Sequence, residues 1–196
     1  KRQPRVDVVL ENFSPGTLAN NGLGSDILCD LNPRLIYAAG TGYGGSGPYR
    51  DYLGMDITLQ AMSGVMSVTG DADSPPTKAG AAFCDILGGA HLYAGIVSAL
   101  YQRERTGMGA VIDISMQDCV FPALATQLGT YFQLGHQPTR TGNRHSGMAL
   151  APYNVYQAKD GHVAMICFRG EHWLRLCDAM GRPELKTDGR FARTKD

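Results

Sequence analysis

Apolar and polar positions alternate along this chain in blocks rather than singly. Val6–Leu10 and Leu35–Ala39 are short, mainly apolar runs suited to buried parallel strands, and the stretch between them, Thr17 to Leu31, has helical spacing. Together they predict a β-α-β unit, the building block of a doubly wound α/β sheet. A Gly-rich loop from Gly40 to Tyr52 follows, then helical spacing from Met55 to Met66 and an extended connector from Asp71 to Thr77 marked by Pro75-Pro76. The pattern next predicts a long helix from Phe83 to Arg105 that stops at Thr106-Gly107-Met108-Gly109, a strand over Ala110–Ile114 and a second long helix from Met116 to Leu134. A polar loop, Gly135 to Ala151, leads to a hairpin in which Tyr153–Gln157 and His162–Cys167 flank Lys159-Asp160-Gly161, and a last helix runs from Glu171 to Met180. No repeat or low-complexity tract interrupts this order.

The composition narrows the class without changing that picture. At 196 residues and 43% hydrophobic, the chain is long enough to bury a sizeable core. Its 18 basic and 18 acidic residues cancel, so no global field recruits nucleic acid or an anionic membrane, and any anionic ligand is held by local groups. The longest apolar run, Ile86 to Leu100, falls short of the ~20 residues that cross a bilayer and reads as a buried core helix. Lys1-Arg2-Gln3-Pro4-Arg5 leads into an apolar run that Glu11 ends, which does not fit a secretory leader. The cysteines at 29, 84, 119, 167 and 177 form no C-x-x-C pair and fit a reducing, cytoplasmic setting.

Several segments carry candidate chemistry. Gly40-Thr41-Gly42-Tyr43-Gly44-Gly45 matches G-x-G-x-x-G after a strand, but Ser46-Gly47-Pro48-Tyr49 then breaks the helix that a dinucleotide fingerprint requires. Glu11-Asn12-Phe13-Ser14-Pro15-Gly16 lies just past a strand's carboxyl end; Asn12 and Phe13 serve either a ligand or a turn that caps the next helix. Asp71-Ala72-Asp73 has no partner His or Glu nearby in sequence, so no metal is expected. His145, in Gly142-Asn143-Arg144-His145-Ser146-Gly147, is the histidine whose surroundings fit an active-site lid. Asp85 opens the long apolar helix among Gly80, Ala81, Ala82, Gly88 and Gly89. It is either a helix-end device or a nucleophile with space for a bulky group beside it, with backbone N–H groups of the helix start available to an oxyanion.

Pro75-Pro76-Thr77 with Gly80 and Asp85, then Arg103-Glu104-Arg105-Thr106-Gly107, closely resembles the class III CoA-transferases, the group of the formyl-CoA and carnitine CoA-transferases. Asp7–Gly16, Leu31–Ala38, Gln60-Ala61-Met62-Ser63-Gly64, Asp113–Asp118, Thr141–Arg144 and Pro152–Tyr156 extend the resemblance in order over almost the whole chain. It implies a Rossmann-like open parallel sheet with flanking helices plus a smaller α+β portion, divided as residues 1–134, an α/β CoA-binding and catalytic domain, and 135–196. It further implies that Asp85 is the nucleophile with Asp56 close by, that Asn12 and Phe13 line the adenine end of coenzyme A, that the loop of Gly42 and Tyr43 lies near it, and that Gly142, Asn143 and His145 belong to a substrate loop. Acyl-CoA and a small carboxylic acid would be the substrates, and the full protein an interlocked homodimer. Two alternatives stand beside this: an α-methylacyl-CoA racemase, in which a His precedes the acidic residue where this chain has Gly54-Met55-Asp56, and a CoA-binding piece without catalysis.

Overall fold

Residues 6–192 are described in a computed structural model; Lys1–Arg5, and with them the reading of that opening as no leader, lie outside it. The described parts of residues 1–66 and 78–124 form one compact unit, and those of 67–77 and 125–196 a second.

The first unit is built on a parallel sheet of β1 (Val8–Glu11), β2 (Ile36–Thr41) and β3 (Ala110–Ser115), in the order β1-β2-β3, with Val8 beside Ile36 and Ile36 beside Ala110. Its central strand has Leu35 just ahead of it, and Leu35, Ile36, Tyr37 and Ala38 are all buried, as an unbroken apolar run between two neighbours requires. The helix expected over Thr17–Leu31 is two helices, α1 (Thr17–Asn20) and α2 (Ser25–Leu31). Gly22 between them has φ +71°, a conformation that no helix contains. Likewise Met55–Met66 yields α3 (Asp56–Met62) and α4 (Val65–Val68), parted at Gly64 with φ +88°.

The long helix α5 (Phe83–Thr106) packs on β2 and β3. Its expected burial holds for one face only. Cys84, Gly88, Leu92, Ala99 and Arg103 are buried, whereas Ile86, Tyr93, Val97 and Tyr101 are exposed. At 24 residues it is also long and apolar enough to cross a membrane by length and composition, which corrects the estimate from the shorter apolar run; in the fold it flanks the sheet. Leu59, Val65, Cys84, Met116 and Val120 form a core cluster beneath the N-terminal end of α5.

The helix expected from Met116 to Leu134 starts instead as a tight 3-10 turn, Asp118–Leu124, because Pro122 inside it has no N–H to give an α-helical ladder. Regular helix begins only at α6 (Ala125–Leu134), in the second unit. That unit also holds the predicted hairpin, β4 (Tyr153–Gln157) antiparallel to β5 (His162–Ile166), and α7 (Gly170–Ala179), whose Cys177 is fully buried. A parallel α/β sheet with flanking helices, followed by a smaller α+β portion, is the architecture that the sequence pattern and the resemblance implied.

Candidate active site

Residues that follow the carboxyl ends of β1, β2 and β3 meet the first turns of α5 around one cleft of about 680 Å³, where open α/β sheets bind ligands. The Gly-rich loop after β2 leaves and returns at a single point. A Cβ on Gly42 would lie 2.7 Å from the Gly54 Cα, so the two backbones touch, and only paired glycines permit it. Between them, Tyr49 packs on Tyr43 and Tyr52 with ring centroids 5.6 and 5.2 Å away, and the Asp113 carboxylate accepts the Gly45 N–H at 2.8 Å. Turns follow Gly45, not the helix that a dinucleotide fingerprint needs. The pinch delivers Met55 and Asp56 to the cleft wall, and the Thr58 hydroxyl accepts the Met55 N–H at 2.9 Å to start α3.

Asp85 lines the cleft from the first turn of α5, with its side chain exposed. The N-cap of α5 is Ala82, whose methyl side chain cannot accept a hydrogen bond. Asp56 supplies the missing acceptor from another helix: one carboxylate oxygen takes the Cys84 N–H at 2.9 Å and the other takes the Gln60 side-chain amide at 2.8 Å. Partial burial, then the neighbouring Asp56 charge, hold the Asp85 carboxyl above the usual carboxylate range. The same burial, with Asp56 and Asp85 behind it, pushes the Cys84 thiol up to about 11, so Cys84 is a packing residue rather than a thiolate at neutral pH.

The expected oxyanion donors are largely spoken for. The Phe83 N–H donates to the Ala81 carbonyl at 2.9 Å, that of Cys84 to Asp56, and that of Ile86 to the Ala82 carbonyl at 3.1 Å. The two glycines beyond Asp85 also differ. Both border the cleft, but a Cβ on Gly88 would come within 2.8 Å of the Met116 Cγ, whereas one on Gly89 would meet nothing within 4 Å. Gly88 therefore lets α5 pack closely on Met116, just past β3, and Gly89 leaves the space beside the carboxylate.

Of the residues singled out in sequence, Asn12, Phe13, Gly42, Asp56 and Asp85 share this cleft. Asn12 donates its side-chain amide to the Gly40 carbonyl and so ties the loop after β1 to the end of β2, while the Phe13 ring stands exposed on the cleft wall. Tyr43 packs against the core cluster and its two tyrosine neighbours and does not line the cleft. Gly142, Asn143 and His145 lie in the second unit. There the Gly142 N–H donates to the Gly70 carbonyl at 3.0 Å, Asn143 is exposed, and the His145 ring meets Tyr153 edge-on at 5.3 Å while its Nδ1 accepts the Gly147 N–H. The second unit has its own cleft of about 570 Å³ beside Phe168, Trp173 and Phe191, but its cations are paired: Lys186 with Asp178, Arg190 with Asp188 and Arg169 with Glu171. Among the described residues no group of three or more His, Cys, Asp or Glu has a metal-ligating arrangement. The sequence left Gln60 without a role, although its place four residues after Asp56 on one helix face was the available signal.

The model of CoA-transferase family III matches residues 4–196, which includes every residue around the first cleft. The chain belongs to CoA-transferase family III. It is 44% identical to the acetyl-CoA:oxalate CoA-transferase of Acetobacter aceti, over 98% of this chain and 49% of that protein. With the succinyl-CoA–D-citramalate CoA-transferase of Chloroflexus aurantiacus it shares 42%, over 96% and 47%. A crystal structure of a CAIB/BAIF family protein from Brucella suis superposes with a TM-score of 0.82 at 40% identity, covering 96% of this chain and 50% of that one. This family III chain thus spans about half the length of the curated relatives it matches.

Proposed function

We propose that this chain carries the nucleophile of an enzyme that moves CoA from an acyl-CoA thioester to a free carboxylic acid, and that the nucleophile is Asp85. An Asp85 carboxylate oxygen attacks the acyl carbonyl carbon, the C–S bond breaks, and CoA departs as a thiolate, leaving a mixed anhydride. The thiolate attacks the Asp85 Cγ and expels the donor's acyl group as its carboxylate, which leaves an aspartyl-CoA thioester. The acceptor acid then attacks that Cγ and releases the thiolate. The thiolate takes the acceptor's acyl carbon and frees Asp85, with no net change in protons.

The observation that supports this most is a carboxylate held above its usual range on a cleft walled by Leu10, Phe13, Leu53, Leu92 and Tyr93. Apolar side chains beside the carboxylate lower the local polarity that an anhydride intermediate meets. A carboxylate whose pKa is raised is also a somewhat better nucleophile than the same group at its ordinary value. On this reading Asp56 fixes the backbone that presents Asp85, Asn12 and Phe13 border the adenine end of coenzyme A, and the loops of Gly42–Tyr43 and Gly142–His145 lie near bound substrate. The working enzyme is a cytoplasmic interlocked homodimer with coenzyme A as its only carrier.

The test is to mix the protein with acetyl-CoA or succinyl-CoA, without an acceptor acid, and add hydroxylamine. A hydroxamate is expected on Asp85 in the peptide from Ala79 to Arg103. In Asp85→Asn the adduct falls by about a thousandfold or more, and in Cys84→Ala it persists. The opposite pattern, labelling lost in Cys84→Ala and kept in Asp85→Asn, moves the chemistry to cysteine and ends this reading.

A further inference from the structure

Gln60 is fully buried, yet it is polar and lies outside the reacting groups named above. Both its amide hydrogens and its amide oxygen are engaged. The amide nitrogen donates to Asp56 at 2.8 Å and to the Ala81 carbonyl at 3.3 Å, and the amide oxygen accepts the Ala79 N–H at 2.9 Å. Toward Ala79 and Ala81 it therefore pairs like a neighbouring strand, one donor and one acceptor to alternate residues of an extended strap. The strap runs directly into Asp85. Three residues beyond Ala81, the Cys84 N–H is fixed by the same Asp56 carboxylate that Gln60 holds.

The geometry points to Gln60 as a positioning residue that sets the register of the Ala79–Asp85 strap, and through it the placement of the Asp85 carboxylate for reaction; the second half of this rests on the transferase reading. A side chain chosen only to fill this site would be apolar, since burying an amide without partners costs more than burying Leu or Met. A side chain chosen only to cap α5 would need one acceptor, and Asp56 is that acceptor. What Gln60 adds is a second clamp, upstream of the cap, that prevents the strap from sliding by a residue. Such a slide would leave Asp56 bonded to the wrong N–H and carry Asp85 off the cleft.

Two variants test this in the protein as it stands. Gln60→Met keeps the volume and removes all three side-chain bonds. Gln60→Glu keeps the acceptor for Ala79 and loses the donors to Asp56 and Ala81. Amide exchange, read by mass spectrometry, should accelerate by about tenfold or more across residues 79–85 in Gln60→Met, while β2 stays at the parental rate. The rate of Asp85 hydroxamate formation from acetyl-CoA should fall by roughly 10- to 100-fold with acetyl-CoA affinity kept within about twofold, because misplacement of an attacking group by ~1 Å costs on that order.

Charged or titratable groups around the strap are Asp56 on α3, Cys84 and Asp85 on α5, and Lys78, whose ammonium donates to the Ala79 and Gly80 carbonyls. In Gln60→Glu a proton held between the new carboxyl and Asp56 restores one donor, so its labelling rate should recover toward the parent as pH falls from 8 to 5.5. That recovery is one a purely space-filling role would not produce. Parental exchange across 79–85 in Gln60→Met overturns the proposal, as does labelling at the parental rate. If Gln60→Met does not fold, the same two limits apply to Gln60→Glu at pH 8. If the parent protein never labels at Asp85, the transferase reading falls by itself, and the exchange data alone decide whether Gln60 holds the strap.

Discussion

The two ends of α5 are finished by different means. At the C-terminal end the chain caps itself: Gly107 takes φ +75° and returns its N–H to the Arg103 carbonyl at 2.8 Å, a stop visible in a few consecutive residues. At the N-terminal end the local cap is an alanine, and the acceptor for Cys84 comes from Asp56, 28 residues earlier in the chain. A helix end that only has to stop can be written locally. One that has to present a carboxylate at a set place is held from outside, because a distant clamp fixes its position relative to the rest of the cleft as well as its last turn.

Breaking the borrowed cap should have the largest effect. Asp56→Ala leaves the Cys84 N–H and the Gln60 amide without their acceptor in partly buried surroundings, a loss of about 2–3 kcal/mol of stability by chemical denaturation. Asp56→Asn, which keeps an acceptor oxygen, should recover part of that. An effect under about 0.5 kcal/mol in Asp56→Ala would mean that the α5 start is held by packing instead. At the other end Arg103 is buried and donates to the Arg34 and Asp7 carbonyls at 3.2 and 3.4 Å, with the Asp7 carboxylate at 3.1 Å. Arg103→Met should cost less, about 1–2 kcal/mol. Asp7 is largely exposed and recovers water, and the Arg103 Nε, buried without a hydrogen-bond partner, is removed with the rest. It should leave Asp85 labelling untouched, which is the contrast that the two ends predict.

That contrast also explains what could be read in the sequence. Short, mainly apolar runs located β1, β2 and β3 to within about two residues, and the stop at Gly107 was legible for the local reason just given. Asn20-Asn21-Gly22 and Pro122 were breaks in plain view, outweighed by the apolar spacing on either side of them. Asp85 and Asp56 were legible as residues; their link was not, because it depends on where α3 lands after a loop closed by Gly42 against Gly54. Gln60 escaped for the same reason, since its partners Ala79 and Ala81 are 19 and 21 residues away. A pattern of apolar positions encodes which face is buried and says nothing about which buried amide pairs with a distant backbone.

A smaller effect is expected from Gly107→Ala. The left-handed conformation there costs a residue with a Cβ about 1 kcal/mol, a drop that thermal melts resolve, again with Asp85 labelling unchanged. A loss of labelling in this variant would show that the two ends communicate along the helix and would weaken the distinction drawn between them.

The smallest effect concerns Asp85 itself and has a defined sign. Its folded pKa is raised above 3.8, by burial first and Asp56 second, so the folded state binds the proton more tightly than the unfolded chain does. The stability this group contributes is fully present below the unfolded pKa and is lost as pH rises through the folded one. At neutral pH the ionised carboxylate is therefore a liability that the fold tolerates. Asp85→Asn should melt slightly above the parent at pH 7, with the difference shrinking toward zero as pH falls below about 4. Asp56→Asn should bring the Asp85 carboxyl back toward its ordinary range, and so move the acid limb of any Asp85-dependent labelling to lower pH. A parent that melts above Asp85→Asn at pH 7 would make this carboxylate a stabilising helix-end device after all, and the N-terminal end of α5 would then resemble the C-terminal one.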